Sequence, residues 1–199
     1  MKVYNKIKWI LGIFVVFFLI AATNMIDRDN FKRVRDSVVT IYEDRLVVQG
    51  LIFEFSELMH KKQLAVVLSD DAFFKEENGS VNNKIKTLTN NYLKTKLTLQ
   101  EERVFKEFQV NLNTLDELES TIKEGQIKNA SIYKNQINLL KENLRELSQI
   151  QISEGSRQSL ISKEAVRTVE LFTQIEIYFL VFLAILIQVL VIYKPKSDL

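Results

Sequence analysis

The chain has 199 residues, 47% of them hydrophobic, and its 27 basic and 25 acidic side chains give a net charge of +2. Such a near-neutral chain indicates no nucleic-acid partner, and with no Cys it has neither disulfides nor a haem attachment motif. A single Pro and five Gly favour long, uninterrupted helices.

The first predicted element is a membrane-spanning helix at residues 9–26. Its first part is apolar throughout, and residues 23–26 extend it toward the roughly 20 residues that cross a bilayer. Lys2, Lys6 and Lys8 would also suit the basic region of a cleaved signal peptide. The apolar run is long for a signal peptide, however, and no small-x-small cleavage site follows it. We therefore expect an uncleaved span after a tail of residues 1–8.

The same helix is predicted to continue from residue 3 to residue 68. Apolar side chains recur there at alternating spacings of four and three, which is typical of a coiled-coil-like seam. Two charged residues interrupt the seam, which comprises Val34, Val38, Ile41, Arg45, Val48, Ile52, Phe55, Met59, Lys62 and Val66. Residues 69–71 and 75–80 are polar and predict a connection.

Two shorter helices follow. The second carries Val81, Ile85, Leu88, Tyr92 and Thr95 in the same rhythm. Thr98 and Glu101 have the spacing of a capping box, which begins a helix. The seam of this third helix comprises Phe105, Phe108, Leu112, Leu115 and Ile122. Gly125 predicts its end.

The fourth helix is predicted to start near Asn129 and to run into a second span at residues 175–193. Its seam comprises Ile137, Leu140, Leu144 and Leu147. A buried core helix is the alternative for residues 177–193, but an almost wholly apolar run beside a charged tail fits a span better. Lysines flank both spans on their outer sides, so the tails 1–8 and 194–199 are expected in the cytoplasm and residues 27–174 outside it.

These elements predict an all-α fold: an antiparallel up-down-up-down four-helix bundle whose long first and last helices continue into two transmembrane helices. Close to the bilayer only the first and last helices would lie side by side. Their apolar side chains would stay uncovered in a single copy, which favours a homodimer. The side chains concerned are Phe31, Val34, Val38, Ile161, Ala165 and Phe172.

Three stretches resemble the four-helix-bundle sensor domain of methyl-accepting chemotaxis proteins. They are IYEDRLV at residues 41–47, YLKTKLTLQEE at 92–102 and the glycine-containing turn at 124–130. The resemblance covers the whole chain and implies a bacterial inner-membrane protein with a periplasmic or extracellular sensor domain. Residues 194–199 leave no room for the HAMP linker and cytoplasmic signalling hairpin of such receptors, so a partner membrane protein is expected to supply the output.

Arg45 is the most informative candidate site residue, because it lies in an apolar seam. The seam of the last helix turns polar at Gln151, Glu154 and Gln158. Counted from the expected membrane ends, Arg45 and Glu154 lie at one height, with Glu101 and Glu102 as rival partners. The layer would either fix the register of the bundle or bind a small anionic ligand through Arg45.

Catalytic chemistry has little support in this sequence, which lacks Cys and a glycine-rich phosphate loop. His60 with Glu57 could form half a metal site, but a solvated helix face is the better interpretation. We expect no enzyme activity, no cofactor and no metal. Two functions stay open: a sensory or ligand-binding module that signals through a partner, and an accessory subunit that stabilises a membrane complex.

Overall fold

The structure, a computed structural model, describes residues 2–120 and 130–192. These ranges are helical and contain no strand, which confirms the all-α prediction. The elements are α1 (Lys2–Thr40), a π-helical segment (Ile41–Leu46), α2 (Val47–Leu68), a second π-helical segment (Phe73–Glu77), α3 (Asn78–Leu93), α4 (Leu99–Ser120) and α5 (Ala130–Ile192).

The first helix is continuous from α1 through the π-helical segment into α2, as the seam predicts. It ends at Ser69, which adopts a left-handed conformation (φ 52°, ψ 46°). The amides of Ser69 and Asp70 donate to the carbonyls of Val66 and Ala65. They thereby satisfy carbonyls that the end of a helix leaves open.

The predicted connection at residues 75–80 is wrong, because the chain is already helical from Phe73. Asp70 accepts a hydrogen bond from the Phe73 amide (3.1 Å), as a helix-capping side chain does. The Phe73 ring is buried against Phe74, which in turn packs edge-on against Tyr133. This packing outweighs the poor helix propensity of the polar residues that follow.

The predicted start of the third helix is confirmed. The Thr98 amide donates to Glu101 Oε2 (2.7 Å), and the Glu101 amide donates to Thr98 Oγ1 (3.3 Å). This reciprocal pair is the capping box that the spacing of the two residues predicts. The predicted stop at Gly125 and start near Asn129 lie outside the described residues.

Residues 39–158 form one compact unit around a core from α2, α3, α4 and α5. Tyr92 stacks on Phe105 with ring centres 4.0 Å apart, and Phe55 meets Phe108 edge-on at 5.0 Å. From Val48 onward burial confirms the core of the predicted seams, whose fully buried members include Phe55, Met59, Tyr92, Phe105, Phe108, Ile137, Leu140 and Leu147. At the start of the first seam it does not, since Val34 is half-buried and Val38 is exposed. Ile122 lies outside the described residues. This unit covers a shorter range of residues than the predicted domain, which was 27–174.

The second compact unit contains α1 up to Val38 and α5 from Ser159. Among its residues whose burial is described, the buried side chains are small or polar: Thr23, Asn30, Ser37 and Ala165. Within the described residues, one helix is long and apolar enough to cross a membrane, by length and composition, and it lies in Ala130–Leu186. Its most apolar 18-residue window has a mean hydropathy of 1.9 and buries none of its residues. The first span, residues 9–26, stays a prediction.

Candidate functional site

A buried polar layer surrounds Arg45, which the π-helical segment Ile41–Leu46 carries. Nη1 of Arg45 donates to Glu101 Oε1 (2.9 Å) and to Gln151 Oε1 (3.0 Å). Gln151 in turn donates from Nε2 to the same Glu101 oxygen. The Arg45 side chain is 8% exposed and that of Glu101 is fully buried. Three helices therefore meet at one ion pair.

Local structure explains why Glu101 takes this place. One carboxylate oxygen of Glu101 closes the capping box, so the side chain is fixed at the start of α4. Its other oxygen is then directed at Arg45 and Gln151. A buried carboxylate needs such partners, because burying an unpaired charge is costly. Burial and the neighbouring Glu101 charge both raise the pKa of the Tyr92 hydroxyl beside this layer.

The predicted site residues separate into two groups. Arg45 and Gln151 meet in the layer. Glu154 instead accepts hydrogen bonds from Nε and Nη2 of Arg157, at 2.9 and 2.7 Å. Gln158 is half-buried and makes no side-chain hydrogen bond to a described residue. Of the partners predicted for Arg45, Glu154 is not bonded to it, whereas the rival partner Glu101 is. Gln151, one turn from Glu154, also bonds to Arg45, because counting along helices fixes a height only to within about one turn.

A cleft of about 550 Å³ lies beside the start of α4, along α5. It is lined by Gln100, Glu142, Arg145, Glu146, Gln149, Ile150, Ser153 and Glu154. Arg45 is not among these residues, so the cleft does not offer its guanidinium to a ligand. Each lining carboxylate has its own arginine: Glu142 with Arg145, Glu146 with Arg103 and Glu154 with Arg157.

A second buried ion pair joins Lys62 and Glu119, which sequence reasoning did not connect. Lys62 Nζ lies 2.5 Å from Glu119 Oε1 and 2.6 Å from Asn78 Oδ1. Tyr133 donates its hydroxyl to the same Glu119 oxygen (2.6 Å), while Asn78 and Asn82 donate to the other (2.7 and 2.8 Å). Four side chains thus saturate one carboxylate. The signal for Lys62 was the same as for Arg45: a charge inside an apolar seam.

Electrostatics of this network follow from burial and charge together. Burial lowers the pKa of Lys62, against the opposing effect of Glu119. Burial alone would raise the pKa of Glu119, but the Lys62 charge and the hydrogen bonds from Asn82, Lys62 and Tyr133 outweigh it and hold that pKa below its usual range. Burial and the Glu119 charge raise the pKa of Tyr133.

His60 was the one candidate for a metal ligand in the sequence. His60 and Glu57 are both exposed on α2. Within residues 2–120 and 130–192, no three His, Cys, Asp or Glu side chains group closely enough to hold a metal ion.

Comparison with known proteins gives no relative: no protein-family description, no curated protein and no solved structure matches this chain.

Proposed function

We propose that this protein is a membrane-anchored, extracytoplasmic sensory module of the chemoreceptor type, which binds a small molecule and signals through a partner membrane protein. The observation that carries the proposal is α5. This helix supplies Ile137, Leu140 and Leu144 to the core of the helical unit, and it later carries the stretch with a mean hydropathy of 1.9. A sensor requires one such element that belongs to both an aqueous domain and the membrane.

The proposed domain is an up-down-up-down bundle, and side-chain contacts support it. Gln49 bonds to Ser148 while Gln63 bonds to Asn138, so residue numbers rise along α2 as they fall along α5. The same opposite order relates α4 to α5 and α3 to α4. The pairs are Arg103–Glu146 with Asn111–Asn143, and Asn82–Glu119 with Tyr92–Phe105.

Two spans with both termini in the cytoplasm complete the proposed topology. Phe14, Phe17 and Phe18 expose about two thirds of their surface in α1, which suits contact with lipid. Phe31 and Val38 are also exposed, at 64% and 55%, and a second copy of the chain would cover them. The proposed assembly is therefore a homodimer in the bacterial inner membrane.

Single cysteines test this topology, because the chain has none of its own. In cells, a membrane-impermeant maleimide should label Asp71→Cys, an exposed position between the end of α2 and the second π-helical segment. It should label Ser197→Cys only after the membrane is opened. The protein should also stay in the membrane pellet after alkaline carbonate extraction. Release by carbonate, or labelling of both positions in intact cells, would contradict the proposal.

An accessory subunit that binds no small molecule is the second function, and the Arg45 layer favours it. The Arg45 guanidinium is buried and already bonded to Glu101 and Gln151, as expected for a residue that fixes helix register. A screen of metabolites, including small anions, by thermal unfolding separates the two functions. A rise in melting temperature supports the sensor, whereas a flat screen with stoichiometric co-purification of one membrane protein supports the accessory subunit.

A further inference from the structure

A second groove, of about 370 Å³, lies between α3 and α4. Its volume falls within the range of small-molecule sites. It is lined by Asn82, Ile85, Lys86, Thr89, Asn90, Gln109, Leu112, Asn113 and Asp116. None of these residues belongs to the Arg45 layer or to the cleft beside α5.

The groove combines apolar and hydrogen-bonding surface. Ile85 and Leu112 are buried core residues, 6% and 9% exposed, and they give the groove an apolar component. The side-chain amides that line it come from both helices: Asn82 and Asn90 from α3, Gln109 and Asn113 from α4. An amide offers a donor and an acceptor together, so these side chains match a ligand that itself contains amide groups.

Charges of both signs line the groove without an ion-pair partner. Lys86 on α3 and Asp116 on α4 form no salt bridge with any residue in the described part of the chain. Lys62, whose pKa responds to Asp116, is itself bonded to Glu119 and Asn78. This groove therefore differs from the α5 cleft, where an arginine of the chain already neutralises every carboxylate.

Asn82 ties the groove to the buried Glu119 network. Its Nδ2 donates to Glu119, which fixes the orientation of the amide. Its Oδ1 is buried and accepts no hydrogen bond from any described residue. The Asn82 side chain is therefore a fixed part of the groove wall, and the ligand-binding groups are the other lining side chains.

We propose that this groove binds a short zwitterionic peptide, an inference that rests on the proposed sensory function and names its ligand class. The peptide ammonium binds Asp116, and its carboxylate binds Lys86. The peptide amide bonds to the side-chain amides of the walls.

Thermal unfolding and calorimetry of the full-length protein in detergent test the inference. The probes are a panel of Gly-Xaa dipeptides, the same dipeptides acetylated and amidated to remove both charges, succinate and putrescine. We expect the melting temperature to rise with the free dipeptides alone. Capped dipeptides, the dianion and the dication should have no effect, because each lacks one or both of the required charges.

Two substitutions place the ligand in this groove. Lys86→Gln and Asp116→Asn should each weaken dipeptide binding about tenfold or more, the loss expected for one charge-assisted hydrogen bond. Lys84→Gln and Glu117→Gln are matched controls on the same two helices. Lys84 pairs with Glu54, Glu117 is exposed, and neither lines the groove. Both controls should bind dipeptides as the wild type does.

A dipeptide panel without effect, or binding that survives both groove substitutions, would overturn the inference. Its failure is distinguishable from failure of the sensory function. If succinate or another metabolite raises the melting temperature while dipeptides do not, the protein is a sensor with a different ligand. If no small molecule has any effect, the peptide site and the sensory function both fail.

Discussion

Lys62 and Glu119 form an ion pair of 2.5 Å in which the lysine side chain is fully buried and the glutamate side chain is 5% exposed. The preceding residue of α2, Lys61, makes an ion pair of the same length with Glu77, but both of those side chains are more than half exposed. Two neighbouring lysines thus make chemically equal bonds in different surroundings. A comparison of the two lysines therefore separates the effect of burial on stability from the effect of charge.

The first prediction concerns these lysines. Lys62→Met should lower the free energy of unfolding by about 3–5 kcal/mol, because it leaves the Glu119 carboxylate buried without its counter-ion. Lys61→Met should change it by about 1 kcal/mol or less, since water screens an exposed pair. Urea denaturation followed by circular dichroism measures both. Equal losses in the two variants would show that the Lys62 network does not stabilise the unit.

The second prediction is the pH dependence of Glu119. Its pKa in the folded protein is below the ordinary value of 4.5, so its ionised form stabilises the fold above that value, and the contribution disappears as pH falls through the folded-state pKa. The difference in melting temperature between wild type and Glu119→Gln should be constant from neutral pH down to about 4.5 and then narrow on further acidification. A difference that widens below this pH would reverse the assigned direction.

The third prediction decides the role of Arg45. Arg45→Met should cost about 3–5 kcal/mol of unfolding free energy without any ligand, because Glu101 stays buried after its partner is lost. Arg103→Met serves as the control, since Arg103 also pairs with a glutamate but is 71% exposed. A stable Arg45 variant that has lost only its response to anionic ligands would instead make Arg45 a binding residue.

The fourth prediction tests the start of α4. Thr98→Ala removes the hydroxyl that accepts a hydrogen bond from the Glu101 amide. It should lower the free energy of unfolding by about 0.5–2 kcal/mol. Thr114 lies within α4, where its hydroxyl bonds to the Val110 carbonyl. Thr114→Ala should therefore be neutral or slightly stabilising, because alanine has the higher helix propensity. Thermal unfolding compares the two, and a larger loss at Thr114 would argue against the capping box.

The fifth prediction concerns Gly50, an exposed residue inside α2. A Cβ added there meets no other atom within 4 Å, and glycine in a helix interior costs about 0.5–1 kcal/mol relative to alanine. Gly50→Ala should raise the melting temperature of the protein in detergent. If it instead lowers the temperature or changes the oligomeric state, another chain approaches this face of α2 closely.

Helix boundaries and core faces could be predicted from the sequence where local signals agree. Thr98 with Glu101 fixed the start of α4, and the alternation of four and three residues predicted buried residues such as Phe105 and Leu140. Helix formation at Phe73 could not be predicted in this way. It depends on the packing of Phe74 against Tyr133, which is distant in the sequence, and the local propensity of the residues from Asn78 opposes it.

The polar layers were predictable only in part, and for a physical reason. A charge within an apolar seam must be buried, so Arg45 was identified correctly as an internal residue. Its partner depends on the axial offset between helices, which sequence spacing does not determine to better than about a turn. Glu119 gave no signal at all, because a carboxylate near the end of a polar helix usually faces water.

The saturation of Glu119 also constrains how this sequence can diverge. Lys62, Asn78, Asn82 and Tyr133 come from three helices, yet all four direct a donor at one side chain. Replacing the Glu119 carboxylate by an apolar group would leave four hydrogen-bond donors without their acceptor. Replacing a single donor leaves the other three hydrogen bonds in place. In related sequences we therefore expect Glu119 to be kept while single donors vary. We expect it to be lost only where all five positions have become apolar together.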